Sequence, residues 1–200
     1  MAVVSGGTTL IDNGALDAGV PTGSLILLST QTASASASIS FTSDIDSTYD
    51  SYVFKFYNIH PSTSGAYFQF NLSTDGGSNY NVTKTSTGFV TYHNEADSAT
   101  GLIYEGGIDL AQSTSYQTIA HNLGNANDEN SSGTLQLFNP SSNTFVKHYL
   151  SDINFYNAGS VSVRDFIGGY GNTTSSVNAI RFQMNTGNID DGIIKMYGVK

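Results

Sequence analysis

The chain has 200 residues, with 7 Lys and Arg against 16 Asp and Glu, a net charge of −9 and only 12% charged residues, where about 25% is usual in globular chains. So few cations make no basic stripe for phosphates, which excludes nucleic-acid binding, and the absence of Cys removes disulfides and thiolate zinc sites. No apolar run reaches the roughly 18 residues of a membrane-spanning helix, so no membrane insertion is expected, and 12 Tyr and 11 Phe argue against disorder in the body.

Residues 1–23 read as an N-terminal arm. Val3-Val4 and Leu10-Ile11 are short apolar pairs among Gly and Thr, Asn13-Gly14 is a turn signal, and Pro21-Thr22-Gly23 closes the stretch. With no charged leader and no long apolar core, the segment does not read as a secretory signal. It is expected to dock on a partner through Val3, Val4, Leu10 and Ile11.

From Ser24 onward the apolar residues follow a period of two, the mark of strands with one buried face. Leu25–Ser29 is an apolar run. Ala33, Ala35, Ala37, Ile39 and Phe41 alternate with Ser34, Ser36, Ser38 and Ser40, which predicts a strand with a buried face of small residues. Tyr52–Ile59 and Ala66–Leu72 form the clearest pair, with Phe54 and Phe56 on one and Phe68, Phe70 and Leu72 on the other. Further strands are expected at Thr85–His93, Tyr116–Leu123, Thr134–Phe138, Thr144–Leu150, Ser160–Ile167, Ala179–Met184 and Ile193–Val199. Turns are expected at Asp75-Gly76-Gly77, Gly106-Gly107, Gly168-Gly169 and Asp191-Gly192, pairs that accept positive φ. No stretch carries a long helical period.

This pattern predicts an all-β protein, an antiparallel β-sandwich of jelly-roll type over residues 24–200 with an extended N-terminal arm. A closed barrel is the alternative. Sheet edges are normally guarded by Lys or Pro. Both are scarce here, so the edges are expected to be covered by the arm, by neighbouring subunits or by long loops.

Three segments carry a resemblance: Phe41–Phe56, Leu72–Tyr80 with its Asp75-Gly76-Gly77 turn, and Ile180–Gly198, where Gly187-Asn188 and Gly192 precede a final Tyr197-Gly198. They resemble the lectin-like jelly-roll modules of tailed-phage virion proteins, of marine and cyanophage type. The resemblance implies a bacteriophage virion structural protein on the exterior surface, at tail or head. The first expectation is a tail-fibre, receptor-binding module that adheres to a host-surface glycan. The alternative is a capsid decoration or head appendage protein with a structural role. Either implies a homo-oligomer, a trimer first, with the arm on other virion proteins.

Tyr80, Tyr92, Tyr104, Tyr156 and Tyr170 all lie within two residues of Gly or Asn and are the candidate glycan-stacking residues. The competing explanation is a Tyr that ends a strand with its ring buried and its hydroxyl in water. Asp44, Asp46 and Asp50 share a loop and are weak candidates for calcium, which takes six to eight oxygen ligands. Asp side chains that cap turn amides explain the same pattern. No cofactor is otherwise expected. His60, His93, His121 and His148 show no metal-ligand spacing, and Glu95 and Glu105 are a carboxylate pair only in the sense that any two are. No Gly-x-Ser-x-Gly elbow is present, so no catalytic residue is assigned and no enzyme is expected.

Overall fold

A computed structural model describes residues 3–5, 7–12, 15–16 and 24–200, and among these every regular element is a strand. Near the N-terminus β1 (Val3–Ser5), β2 (Thr8–Asp12) and β3 (Ala15–Leu16) form a separate antiparallel sheet, in which Ile11 is the register partner of both Val3 and Leu16. Val3 and Val4 are exposed. The side chains of Leu10 and Ile11, and the expected turns at Asn13-Gly14 and Pro21-Thr22-Gly23, lie outside the described residues.

The body contains β4 (Ile26–Ser36), β5 (Ile39–Phe41), β6 (Ser51–Pro61), β7 (Ala66–Ser73), β8 (Lys84–Asn94), β9 (Thr100–Tyr104), β10 (Gln117–Leu123), β11 (Ser131–Phe138), β12 (Lys147–Asn157), β13 (Val161–Gly171), β14 (Ala179–Met184) and β15 (Ile189–Val199). These make one antiparallel sheet of 12 strands. It folds on itself into a wide layer, β4-β15-β6-β11-β12-β13-β8-β9, and a narrow layer, β5-β14-β7-β10. The layers join where Leu123 of β10 meets Asn157 of β12. The body is therefore an all-β antiparallel sandwich, almost closed into a barrel.

Aromatic rings fill the space between the layers. Phe54 and Phe56 of β6 lie 5.4 and 5.2 Å from Phe182 of β14, which also stacks on Phe68 at 5.8 Å. Such edge and offset contacts each add about 0.5–1.5 kcal/mol beyond area burial. Every position of the expected Phe54, Phe56, Phe68, Phe70 and Leu72 set is buried. The buried tyrosines keep their hydroxyls bonded: Tyr52 donates to the Asp46 carbonyl at 3.0 Å and Tyr149 to Gln117 Oε1 at 3.0 Å.

Several expectations need correction. In the Ala33–Phe41 stretch only Ala33, Ile39 and Phe41 are buried, while Ala35 and Ala37 are exposed. Ala35 adopts a positive φ of 49°, which breaks the alternation where the chain leaves β4 for β5. Gly168-Gly169 is not a turn but part of β13; a Cβ at Gly169 would lie 2.5 Å from the Tyr149 hydroxyl and 2.7 Å from the Thr85 carbonyl. Asp191-Gly192 is not the closing turn either. It lies inside β15 at a register shift, where Gly192 takes a φ of 129° and a side chain would strike Ile59. The turn before β15 falls at residues 185–188 and uses Gly187 at a φ of 69°. The edge strand β9 carries no alternating pattern and has no counterpart among the expected strands.

Candidate functional site

The outer face of the wide layer departs from the polar surface that an antiparallel sheet turns to water. In β8, Val90 is buried and faces the core, so Phe89 faces out; in β13, Ile167 is buried and Phe166 faces out. In β12, Tyr149 and Ser151 point inward and leave Leu150 outside, 57% exposed. Phe89 and Phe166 are register partners, and their rings stack at 4.7 Å with an 18° tilt. Tyr104 of β9 stands directly opposite Phe89 on its other side.

These side chains wall a groove of about 520 Å³, within the range of small-ligand sites. Gly168 opens its floor. It occupies an outward position between Leu150 and Thr87, where a Cβ would already approach Leu150 Cδ2 to 3.3 Å. A second depression of about 420 Å³ shares Gly168, Leu150 and Thr87 and runs on to His148 and Tyr170.

The groove's polar fringe is held in place. Asp152 receives two bonds from Arg164, 2.8 Å from Nε and 2.7 Å from a terminal nitrogen, the bidentate geometry that fixes both partners. The Arg164 guanidinium lies 4.4 Å over the Phe166 ring, continuing the stack. Asp152 raises the pKa of Arg164 through that bond. The Tyr104 hydroxyl bonds the Asp109 carboxylate, which pushes its pKa up. Gln136 and Thr134 complete the fringe, with Gln136 Nε2 tied to Ser51 Oγ at 3.1 Å. A flat apolar platform with hydrogen-bonding groups at its rim suits a ligand with one C–H-rich face and polar edges, as a sugar ring has.

The five candidate tyrosines do not form one patch. Tyr104 lines this groove, and Tyr170 lines the adjoining depression. Tyr156 lines a separate depression with His93 and Asn154, and Tyr92 packs against the core. Tyr80 sits in the loop after β7, with the Arg181 guanidinium 4.0 Å over its ring and its hydroxyl buried without a partner. The aromatic platform is made instead by Phe89 and Phe166, which the sequence reading passed over. The signal was present: Phe89-Val90 and Phe166-Ile167 are adjacent apolar pairs in strands of period two, so one member of each pair must face outward.

Asp44, Asp46 and Asp50 serve separate local contacts. Asp46 Oδ1 accepts the Thr48 amide at 2.7 Å, and hydrogen bonding from the Thr48 side chain and then its amide holds the Asp46 carboxyl below the usual range. Asp44 accepts a bond from Ser43, and the backbone of Asp50 bonds Val199 and Asn139. Among the described residues no three His, Asp or Glu side chains converge. His60 contacts the Ala126 carbonyl at 3.1 Å, and His93 contacts Asp97 at 3.0 Å.

Three ionisable groups, Asp165, His121 and Lys84, are largely withdrawn from solvent inside the body. Asp165, fully buried in β13, accepts from His121 Nδ1 at 2.8 Å and from the His121 amide at 3.2 Å, which bridges the two layers. Burial raises the Asp165 pKa. Burial pulls the His121 imidazole down, but the bond to Asp165 and the carboxylate charge carry it above its ordinary value. Lys84 is buried against Asn71 Oδ1 at 2.5 Å and the Val82 carbonyl at 2.7 Å, and burial lowers its pKa to about 7. These groups hold the scaffold.

Comparison of the chain with protein-family models, with curated proteins and with solved structures finds no match.

Proposed function

We propose that the chain is a bacteriophage virion protein of jelly-roll type that acts as a receptor-binding module, holding a host-surface glycan in the groove between Leu150, Phe166, Phe89 and Tyr104. The observation that carries this is the outward-facing Phe89–Phe166 stack with its fixed Asp152–Arg164 rim. As a cross-strand couple the two rings add only about 0.2–1 kcal/mol to the sheet, and a contiguous apolar patch left exposed marks an interaction site. The virion context rests on the likeness of Phe41–Phe56, Leu72–Tyr80 and Ile180–Gly198 to phage modules. In that setting the protein is a homo-oligomer, a trimer first, with residues 1–23 joined to other virion proteins. The test is binding of purified protein to an array of neutral and acidic glycans, with Phe89→Ala as control. Wild-type binding that the variant loses supports the proposal; an empty array overturns it.

A second role, as a capsid decoration or appendage subunit, draws on β9. Among the described residues this edge strand pairs with β8 alone, and it carries Leu102 at 67%, Ile103 at 43% and Tyr104 at 62% exposure, with no charge and no Pro. Such an edge invites strand pairing with another subunit. A sedimentation measurement on Ile103→Lys separates the two roles. Dissociation of an oligomer without loss of glycan binding would assign β9 to assembly and the groove to adhesion.

A further inference from the structure

We infer that the ligand of this outer face is an anionic saccharide, whose carboxylate or sulfate groups are held by Lys55 and Lys195; this rests on the glycan-binding role proposed above. The chain has seven cations, and most are committed. Lys84 and Lys147 are buried, Arg164 is paired with Asp152, and Arg181 lies over Tyr80. Lys200 lies 5.9 Å from the centre of the Tyr49 ring, the kind of contact that Lys55 and Lys195 also make, but it stands beyond the end of β15 with no cation as a register partner.

Lys55 of β6 and Lys195 of β15 differ from the rest. They are direct register partners, and like charges placed opposite one another weaken a sheet. Neither belongs to an ion pair among the described residues. The flanking strands offer no relief: β4 presents Thr30 opposite Lys195, and β11 presents Thr134 opposite Lys55. The closest acid in that row is Asp152, the register partner of Thr134, and both its oxygens are occupied by Arg164.

The two ammonium groups are nevertheless held in place. Lys55 Nζ lies 5.4 Å from the centre of the Tyr197 ring, and Lys195 Nζ lies 5.6 Å from that of Tyr57. The rings position the cations without neutralising them. The result is an ordered pair of positive charges that an acidic group would satisfy.

Position ties this pair to the groove. Thr134 lines the groove and is also the strand partner of Lys55. Strands lie about 4.8 Å apart, so a chain of sugar rings seated on Phe89 and Phe166 reaches the lysines within a short oligosaccharide. The net charge of −9 does not cancel them at contact, because charges farther than about 8 Å are screened at physiological salt.

The test is calorimetric titration of the full chain with size-matched dextran, dextran sulfate and oligogalacturonate. The charged probes are expected to bind at least about tenfold more tightly than dextran, a margin that one well-placed charge contact supplies. This margin should shrink as salt rises from about 20 mM to about 0.5 M, where the Debye length falls toward 3 Å. Lys55→Gln with Lys195→Gln should abolish the margin and leave dextran binding as it was, while Lys55→Arg with Lys195→Arg should keep it. A preference for one charged probe over the other identifies sulfate or carboxylate as the group bound. Equal binding of dextran and the charged probes, or a preference that survives the Gln pair, overturns this inference and leaves the groove's glycan role standing. No binding of any probe overturns the inference, and an empty glycan array overturns that role as well.

Discussion

Phe89 and Val90 are neighbours in β8, yet Val90 is 2% exposed and Phe89 is 44% exposed. The same strands carry two apolar faces. The inner face answers to the core: Ile153, Val163 and Ile167 have no freedom and no access to solvent. The outer face carries Phe89, Phe166 and Leu150 as a half-open apolar patch among Thr, Gln, Asp and Arg side chains, two of which are fixed by a bidentate ion pair. Inner residues are thus explained by stability and outer ones are not, so matched substitutions on the two faces should give opposite results in stability and in binding.

The largest contrast is between Phe182 and Phe89. Phe182 contacts five other aromatic rings of the core, so Phe182→Ala should cost about 3–5 kcal/mol in denaturant unfolding. Phe89→Ala should cost about 1 kcal/mol or less, as for a half-exposed site, while removing glycan binding. Equal losses of stability would break the distinction between the faces.

The adjacent glycines give a smaller contrast. Gly169→Ala would place its methyl against the Tyr149 hydroxyl and the Thr85 carbonyl, and overpacking of this kind costs about 1–3 kcal/mol. Gly168→Ala meets only the end of Leu150 at 3.3 Å and should stay within about 0.5 kcal/mol. Thermal melts of the two variants check both values.

The pH dependence sharpens the same division. Asp165 and His121 both hold their protons more tightly folded than unfolded. The unfolded chain therefore loses these protons first, and stability should fall as pH rises through the ordinary carboxylate and imidazole ranges. Lys84 works in the other direction. Its folded pKa of about 7 lies below the ordinary 10.5, so the unfolded chain binds more protons between those values and stability should rise across that range. His121→Gln with Asp165→Asn should flatten the lower slope, and Lys84→Met the upper one. The smallest effect belongs to the surface: Lys55→Gln should raise the melting temperature slightly at low salt, by relief of repulsion from Lys195. A variant that melts lower would mean that the lysines do not repel.

Much of the fold was legible because alternation and turn chemistry agree locally. The β6–β7 aromatic face, the Asp75-Gly76-Gly77 turn and most of the later strands follow that rule. Asp75 in that turn accepts the Asn79 amide and a bond from Ser73, which lowers its pKa to about 2. Legibility failed where a glycine lies inside a strand and not in a turn, as at Gly168, Gly169 and Gly192. It failed again at Ala35, where one positive φ resets the phase of the strand. The site was less legible than the fold. Of the five tyrosines, Tyr104 lines the groove and Tyr170 the depression beside it. Phe89, Phe166 and Leu150 reach it only through cross-strand register, which no single strand displays.

The most direct test of the account is Gly168→Leu, which fills the groove floor without touching the core. Melting and glycan-array binding should be measured together against wild type. Gly168→Leu is expected to melt close to wild type and to lose binding to the glycans that wild type retains. A Gly168→Leu protein that melts and binds as wild type does would contradict the account.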